Sequence, residues 1–384
     1  GPVGATGYGL DSARPELRHR RLSACLRALA QEPKLSIFAQ DDWRKVAVED
    51  VARALGAEGP QRELLAMAVF SGTAQACLQG SYWAPSFGAP GADKVDCGHC
   101  ARPVSCLYRP SRMPQQGQFK ARGGEQAPFL RCEANQSPLD VAARILQTSV
   151  RDRHIAVVRF SGARDLRNES SRYWHCTDDD VFLRTSYFQA FERMEGDLNC
   201  SVRDAIGEGG LVYTSGVGVL RGKIQDGSPW YREPAHVDVL WVGVPPHARR
   251  GDVAVGHEDW YAADEDRAAM VGVLDLAFAW AAARGADTIV LPPVGCDAGG
   301  CSHPPLGVAS AINEVAQRYR AYLPQVIVAS NHTAHCGAEW WGRFDDVLRN
   351  RRDKPDPLVL VPPAVLPPYF LVKKDPVALL EKSR

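Results

Sequence analysis

The segment from Glu265 to Ser330 constrains the fold of this chain more than any other. Glu265 to Arg284 is apolar around nearly its whole circumference and is closed by Gly285, the pattern of a helix buried on all sides. Thr288 to Val294 then reads as a strand, a glycine-rich loop follows, and Leu306 to Leu323 reads as a second helix before a strand at Gln325 to Ser330. Strand, loop, helix and strand in that order imply a parallel α/β sheet with helices on its faces. Ile155 to Phe160, Leu211 to Thr214 and Val237 to Val244 are further strand candidates, and Val181 to Phe191 is a helix candidate.

The residues before this region differ. Trp43 to Leu55 and Arg62 to Leu78 carry helical apolar spacing, so the first 85 or so residues read as helical. Residues 84–138 are rich in proline, glycine, glutamine and arginine and read as an irregular insertion. The expected division is therefore a helical region over 1–138 with a cysteine-containing insertion, then an α/β domain over 139–384. Seven prolines between Pro355 and Pro376 predict an extended tail.

Composition excludes some functions. The 384 residues are 45% hydrophobic, enough for a substantial core, and 45 basic residues balance 45 acidic ones. No net field draws the chain to nucleic acid or anionic lipid, and no apolar run reaches the length of a membrane span. Eleven cysteines cannot all pair within one chain, which points to a reducing compartment such as the cytoplasm. Gly1-Pro2 reads as a protease-processing scar, so no targeting signal is legible at the start.

Three groups could carry chemistry. The loop Val294-Gly-Cys-Asp-Ala-Gly-Gly-Cys-Ser-His303 joins a buried strand to a helix. Its glycines allow backbone amides to approach an oxyanion, and the helix start adds a favourable dipole. A second small-residue segment, Thr214 to Gly222, also follows a strand candidate, so two loops could clamp a diphosphate from opposite sides. Neither has P-loop or dinucleotide-fold spacing. The third group is Asp178-Asp179-Asp180. Acidic residues commonly begin helices, but crowded carboxylates facing a pocket raise one another's pKa and can leave one protonated, ready to donate to a leaving group.

Cys97, Cys100, Cys106 and Cys132, with His99 among them, are either free thiols or ligands of a structural zinc, since their spacing does not repeat as paired CxxC motifs. A nucleophilic role for Cys296 or Cys301 is disfavoured, because His303 has no evident orienting partner in the sequence.

Read together, residues 139–332 resemble the microbial-type poly(ADP-ribose) glycohydrolases of the macrodomain family. The matching pieces are Phe160-Ser-Gly-Ala163, Leu183-Arg-Thr-Ser186, Tyr213-Thr-Ser-Gly-Val-Gly-Val-Leu-Arg221, Val237-Asp-Val-Leu-Trp-Val-Gly-Val-Pro245 and Leu291 to Pro305. The chain departs from the family's pattern. The glycine run before the acidic motif is replaced by Arg164 to Cys176, Gly162 stands in place of an asparagine, and Gly299 in place of an aromatic residue. Counting back from Arg184 puts Thr177-Asp178-Asp179 where the family has Gln-Glu-Glu.

The resemblance implies a macrodomain-like three-layer mixed sheet with helices on both faces, and an ADP-ribosyl hydrolase acting on ADP-ribosylated protein, with single arginine-linked units among the candidate substrates. Its implied site holds ADP-ribose through Ser215, Gly216, Val217, Gly218 and Val219 on one side and Gly295, Cys296, Asp297, Ala298, Gly299 and Gly300 on the other. Asp178 and Asp179 would be the catalytic carboxylates, with Asp180 in reserve, and an oxocarbenium-like transition state would be stabilised by a nearby carboxylate. Neither metal nor cofactor is expected. The competing reading is a module that binds ADP-ribose without cutting it.

Overall fold

The computed structural model describes the chain between residues 60 and 350, apart from 86–91, 110–112, 122–128, 163–179, 198–205, 245–259, 297–302, 331–332 and scattered single positions or pairs. The Trp43 to Leu55 helix and the proline-rich tail lie outside the described residues.

A seven-stranded sheet organises the molecule. Its strands are β3 (Val104–Tyr108), β6 (Leu211–Arg221), β7 (Trp230–Val244), β5 (Ile155–Gly162), β8 (Thr288–Leu291), β9 (Gln325–Ser330) and β4 (Leu130–Ala134), in that spatial order. Of the seven, β6 alone runs against the others. One cross-strand line runs through the whole sheet: Ser105, Thr214, Val239, Val157, Val290, Ile327 and Arg131 are successive register partners.

The strands alternate between two cores. Val157, Val212, Val239, Val290 and Ile327 join one cluster, whereas Ala156, Val158, Leu211, Leu240, Ile289 and Val328 join the other. That is the period-two consequence of a pleated strand buried on both faces. Helices α1 (Pro60–Gln79), α2 (Pro138–Thr148), α3 (Asp180–Arg184) and α4 (Tyr187–Asp197) contribute to the first cluster. Helices α5 (Asp264–Ala283), α6 (Pro305–Tyr319) and α7 (Thr333–Leu348) cover the opposite face. The fold is thus three-layered, as expected.

Several local expectations change. The irregular reading of residues 84–138 does not hold for 104–108 and 130–134, because β3 and β4 form the two edges of the central sheet. Sheet strands therefore come from both sides of the division expected at residue 138. A small hairpin, β1 (Ser81–Pro85) with β2 (Ala92–Asp96), stands beside them. Five-residue strands at a sheet edge need only one partner and carry little apolar alternation, so composition masks them.

The helix expected over Val181 to Phe191 breaks at Thr185-Ser186. Thr185 bridges Val219 as an extra β-partner, while the Ser186 amide donates to the Gly218 carbonyl at 2.9 Å and the Ser186 hydroxyl accepts from the Gly218 amide at 3.0 Å. Serine and threonine side chains compete with helical backbone in this way.

Residues 215–219 are not a loop after a strand. They continue β6, with a register irregularity between Thr214 and Val217, and Val217 and Val219 are fully buried. The expectation rested on the two glycines; a bulge with Gly216 at φ +69° accommodates them within the ladder.

Candidate active site

The sheet register separates the two segments expected to clamp one diphosphate. From the Thr214–Val239–Val157–Val290 line, residues 215–219 run toward the amino ends of the parallel strands, pairing with Val237 to Ala235. The Gly295 turn leaves β8 in the other direction, beyond Leu291. Three interstrand steps of about 4.8 Å add to that divergence, so Ser215, Gly216, Val217, Gly218 and Val219 cannot share a diphosphate with Gly295 and Cys296. Their amides are also engaged: Gly216 donates to Asp238 Oδ1 at 3.0 Å and Gly218 to Ser186.

Asp238 is the acidic residue inside the apolar run Val237-Asp-Val, and it organises the amino side of the sheet. Tyr213 donates to its Oδ2, and His154 Nε2 lies 2.5 Å from the same oxygen. Burial alone would raise the Asp238 carboxyl, but the bonds from His154 and Tyr213 outweigh it and hold the group below the usual carboxylate range. His154 is shifted the opposite way, upward, by its bond to Asp238 against the effect of burial.

The carboxyl side of the sheet is built differently. At the end of β8, Gly295 takes φ +65°, and its carbonyl accepts from the His303 amide at 2.8 Å. This contact joins the turn after β8 to the residue that precedes the start of α6. Val294 and His303 are buried. His303 does have an orienting partner: its Nδ1 lies 3.1 Å from the Tyr261 hydroxyl. The Tyr261 ring in turn lies on Gly307, where a Cβ would sit only 2.6 Å from Cδ2. Helix α6 begins at Pro305, which has no N–H, with Pro304 as its N-cap, so no side chain caps the Leu306 and Gly307 amides of its first turn. In open α/β sheets ligands bind at this edge, beyond the carboxyl ends of the strands.

Of the three aspartates, Asp180 is described, and it faces a cation. Arg184, wholly buried, donates to Asp180 Oδ2 at 2.9 Å, to Asp140 Oδ1 at 2.6 Å and to the Arg221 carbonyl at 3.1 Å. Burial works against the Arg184 charge, but Asp180 and Asp140 outweigh it and raise its pKa. Asp140 also forms the capping box of α2 with Ser137. Asp180 is thus ion-paired to a buried cation. Asp178, Asp179, Asp297, Ala298, Gly299 and Gly300 lie outside the described residues.

The four cysteines considered for zinc do not converge. Cys106 lies on β3 and Cys132 on β4, the two edges of the seven-stranded sheet. Six interstrand steps separate them, on the order of 28 Å. The Cys97 thiol donates to the Ala76 carbonyl at 3.5 Å.

No protein-family model and no curated protein matches the chain. Solved structures do. Poly(ADP-ribose) glycohydrolase from Thermomonospora curvata superposes with a TM-score of 0.51 at 19% identity, covering 76% of this chain and 99% of that one. The fold is that of the microbial poly(ADP-ribose) glycohydrolases.

The glycohydrolase from Deinococcus radiodurans in complex with ADP-ribose is also similar, at 17% identity with a TM-score of 0.46, over 64% of this chain and 94% of that one. At these identities the likeness is one of fold. Within this glycohydrolase fold, the turn after β8 and the start of α6 form the carboxyl-edge corner, and Phe160 to Gly162 form the end of the neighbouring strand β5. Among the described residues no helix is long and apolar enough to cross a membrane.

The roles of His303, Tyr261 and Asp238 were not anticipated from sequence. A charged residue inside an otherwise apolar strand was the one visible signal, at Asp238.

Proposed function

We propose that this protein is a glycosidic-bond hydrolase that binds ADP-ribose at the carboxyl edge of its sheet and releases it from a modified protein. The observation that carries this reading is the bond from the His303 amide to the Gly295 carbonyl, after a buried parallel strand and before a helix start without a side-chain cap, in a glycohydrolase fold. Backbone amides of residues 295–300 and the α6 dipole suit a diphosphate.

Asp178 and Asp179 are the proposed carboxylates. One would protonate the departing group while the other stabilises the oxocarbenium-like sugar and orients water. Asp180 is not part of this pair, because its charge is committed to Arg184. This reading leaves out the segment 215–219, which lies within β6.

The test is an activity panel. Catalytic amounts of the full chain are incubated with arginine-, glutamate- and serine-linked ADP-ribosyl proteins and with the polymer, and free ADP-ribose is measured. Turnover on any member supports the hydrolase. Saturable ADP-ribose binding without turnover on any of them replaces it with a reader module.

A further inference from the structure

A second cluster of reactive side chains lies on the amino side of the sheet, away from the Gly295 turn. The turn Gly98–Ala101 follows β2 and is fixed by three hydrogen bonds: Cys97 N to Gly80 O at 2.8 Å, Gly98 N to Asp96 Oδ1 at 2.8 Å and Cys100 N to Cys97 O at 2.9 Å. It presents His99 and Cys100 to β7, where His236 stands opposite Gly218 of β6. The ligand atoms of His99, Cys100 and His236 all lie within 4.8 Å of one another.

We propose that His99, Cys100 and His236 bind a divalent transition-metal ion of the zinc class, with solvent completing the coordination. The Cys100 Sγ to His236 Nε2 distance is 3.8 Å. Ideal zinc–sulfur and zinc–nitrogen bonds in a tetrahedral arrangement would place those atoms about 3.6 Å apart, so an ion fits between them after a shift of tenths of an ångström. The distance is long for a thiol–imidazole hydrogen bond on its own.

The surroundings support the same reading. Cys100 sits against Gly218 so closely that a Cβ there would lie 2.4 Å from Cys100 Cβ and 2.7 Å from its Sγ. The absent side chain on β6 is what lets the thiol approach His236. Cys100 is buried while both histidines face solvent, which leaves a side open for water and for entry of the ion. Two imidazoles and one thiolate are borderline ligands that favour zinc, cobalt or copper over magnesium or calcium. On binding, the Cys100 proton leaves to solvent and the thiolate takes its place on the metal. The ion would tie the segment after β2 to the β6–β7 hairpin.

The experiment uses the full chain, stripped with a chelator and titrated with Co²⁺ and then Zn²⁺. The expected result is a thiolate-to-cobalt charge-transfer band with tetrahedral ligand-field absorption, saturating at one equivalent and bleached by zinc. Cys100→Ser abolishes the band, and Cys97→Ser and Cys132→Ser retain it. His99→Ala, at an exposed position that leaves the fold intact, weakens zinc affinity by ~100-fold or more, beyond the loss of an outer hydrogen-bond partner. Absence of the band in folded wild-type protein overturns the proposal. So does a band that survives Cys100→Ser or an affinity unchanged in His99→Ala.

Discussion

Arg184 donates to Asp140 across 2.6 Å with both side chains sealed from solvent, at 0% and 3% exposure. One cation thereby joins the first turn of α2 to the end of α3, and Asp180 adds a second carboxylate to the same guanidinium. Removing the cation leaves two carboxylates beside each other without the guanidinium they share. Arg184→Ala is expected to cost about 3–5 kcal/mol, the range for breaking a buried pair from one side. Chemical denaturation measures it, and a loss below about 1 kcal/mol would mean that solvent already reaches the site.

The proposed function divides the acidic run by role. Asp178→Ala and Asp179→Ala are each expected to lower turnover by at least ~100-fold, the scale of a lost general acid or base, with ADP-ribose affinity retained. Asp180→Ala instead lowers stability through Arg184. Turnover assays paired with calorimetric binding separate the two. If Asp178→Ala and Asp179→Ala both hydrolyse normally, the run is only the start of a helix.

Protonation of His154 couples folding to pH. Its folded-state pKa is raised, chiefly by the hydrogen bond to Asp238. The stability it contributes is therefore fully present below the unfolded histidine value of about 6.5 and declines as pH rises through the higher folded value. Asp238, whose pKa is lowered, acts in the other direction and loses its contribution as pH falls below the ordinary carboxylate range. In denaturation curves taken across pH, the stability difference between wild type and His154→Gln should shrink from mildly acid to alkaline conditions. A difference that grows over that interval would reverse the assignment.

Gly307 tests the floor of the proposed sugar site. A methyl group there meets the Tyr261 ring, so Gly307→Ala should displace Tyr261 and release His303 from its hydroxyl. Overpacking of this kind costs about 1–3 kcal/mol. ADP-ribose affinity should fall with it, because the Tyr261 hydroxyl holds His303, whose amide is bonded to the Gly295 carbonyl. Unchanged affinity in a destabilised variant would place the ligand elsewhere.

Much of the fold was legible in local pattern. The buried helix α5, the strands β5, β8 and β9 and the helix α6 declare themselves because burial on two faces demands long apolar runs, and glycine marks where they stop. The turn after β8 was visible for the same reason. The edge strands β3 and β4 were not, since a strand with one partner and a half-exposed face needs few apolar residues.

The sequence by itself determined the layered α/β sheet and the aspartates and glycines available for chemistry, because apolar periodicity and residue type are local properties. Only the tertiary structure decided which of them meet. Register sent residues 215–219 and the Gly295 turn to opposite sides of one cross-strand line and set His236 of β7 beside Cys100, 136 positions away. Such meetings depend on strand pairing between distant segments, which no spacing along the chain encodes.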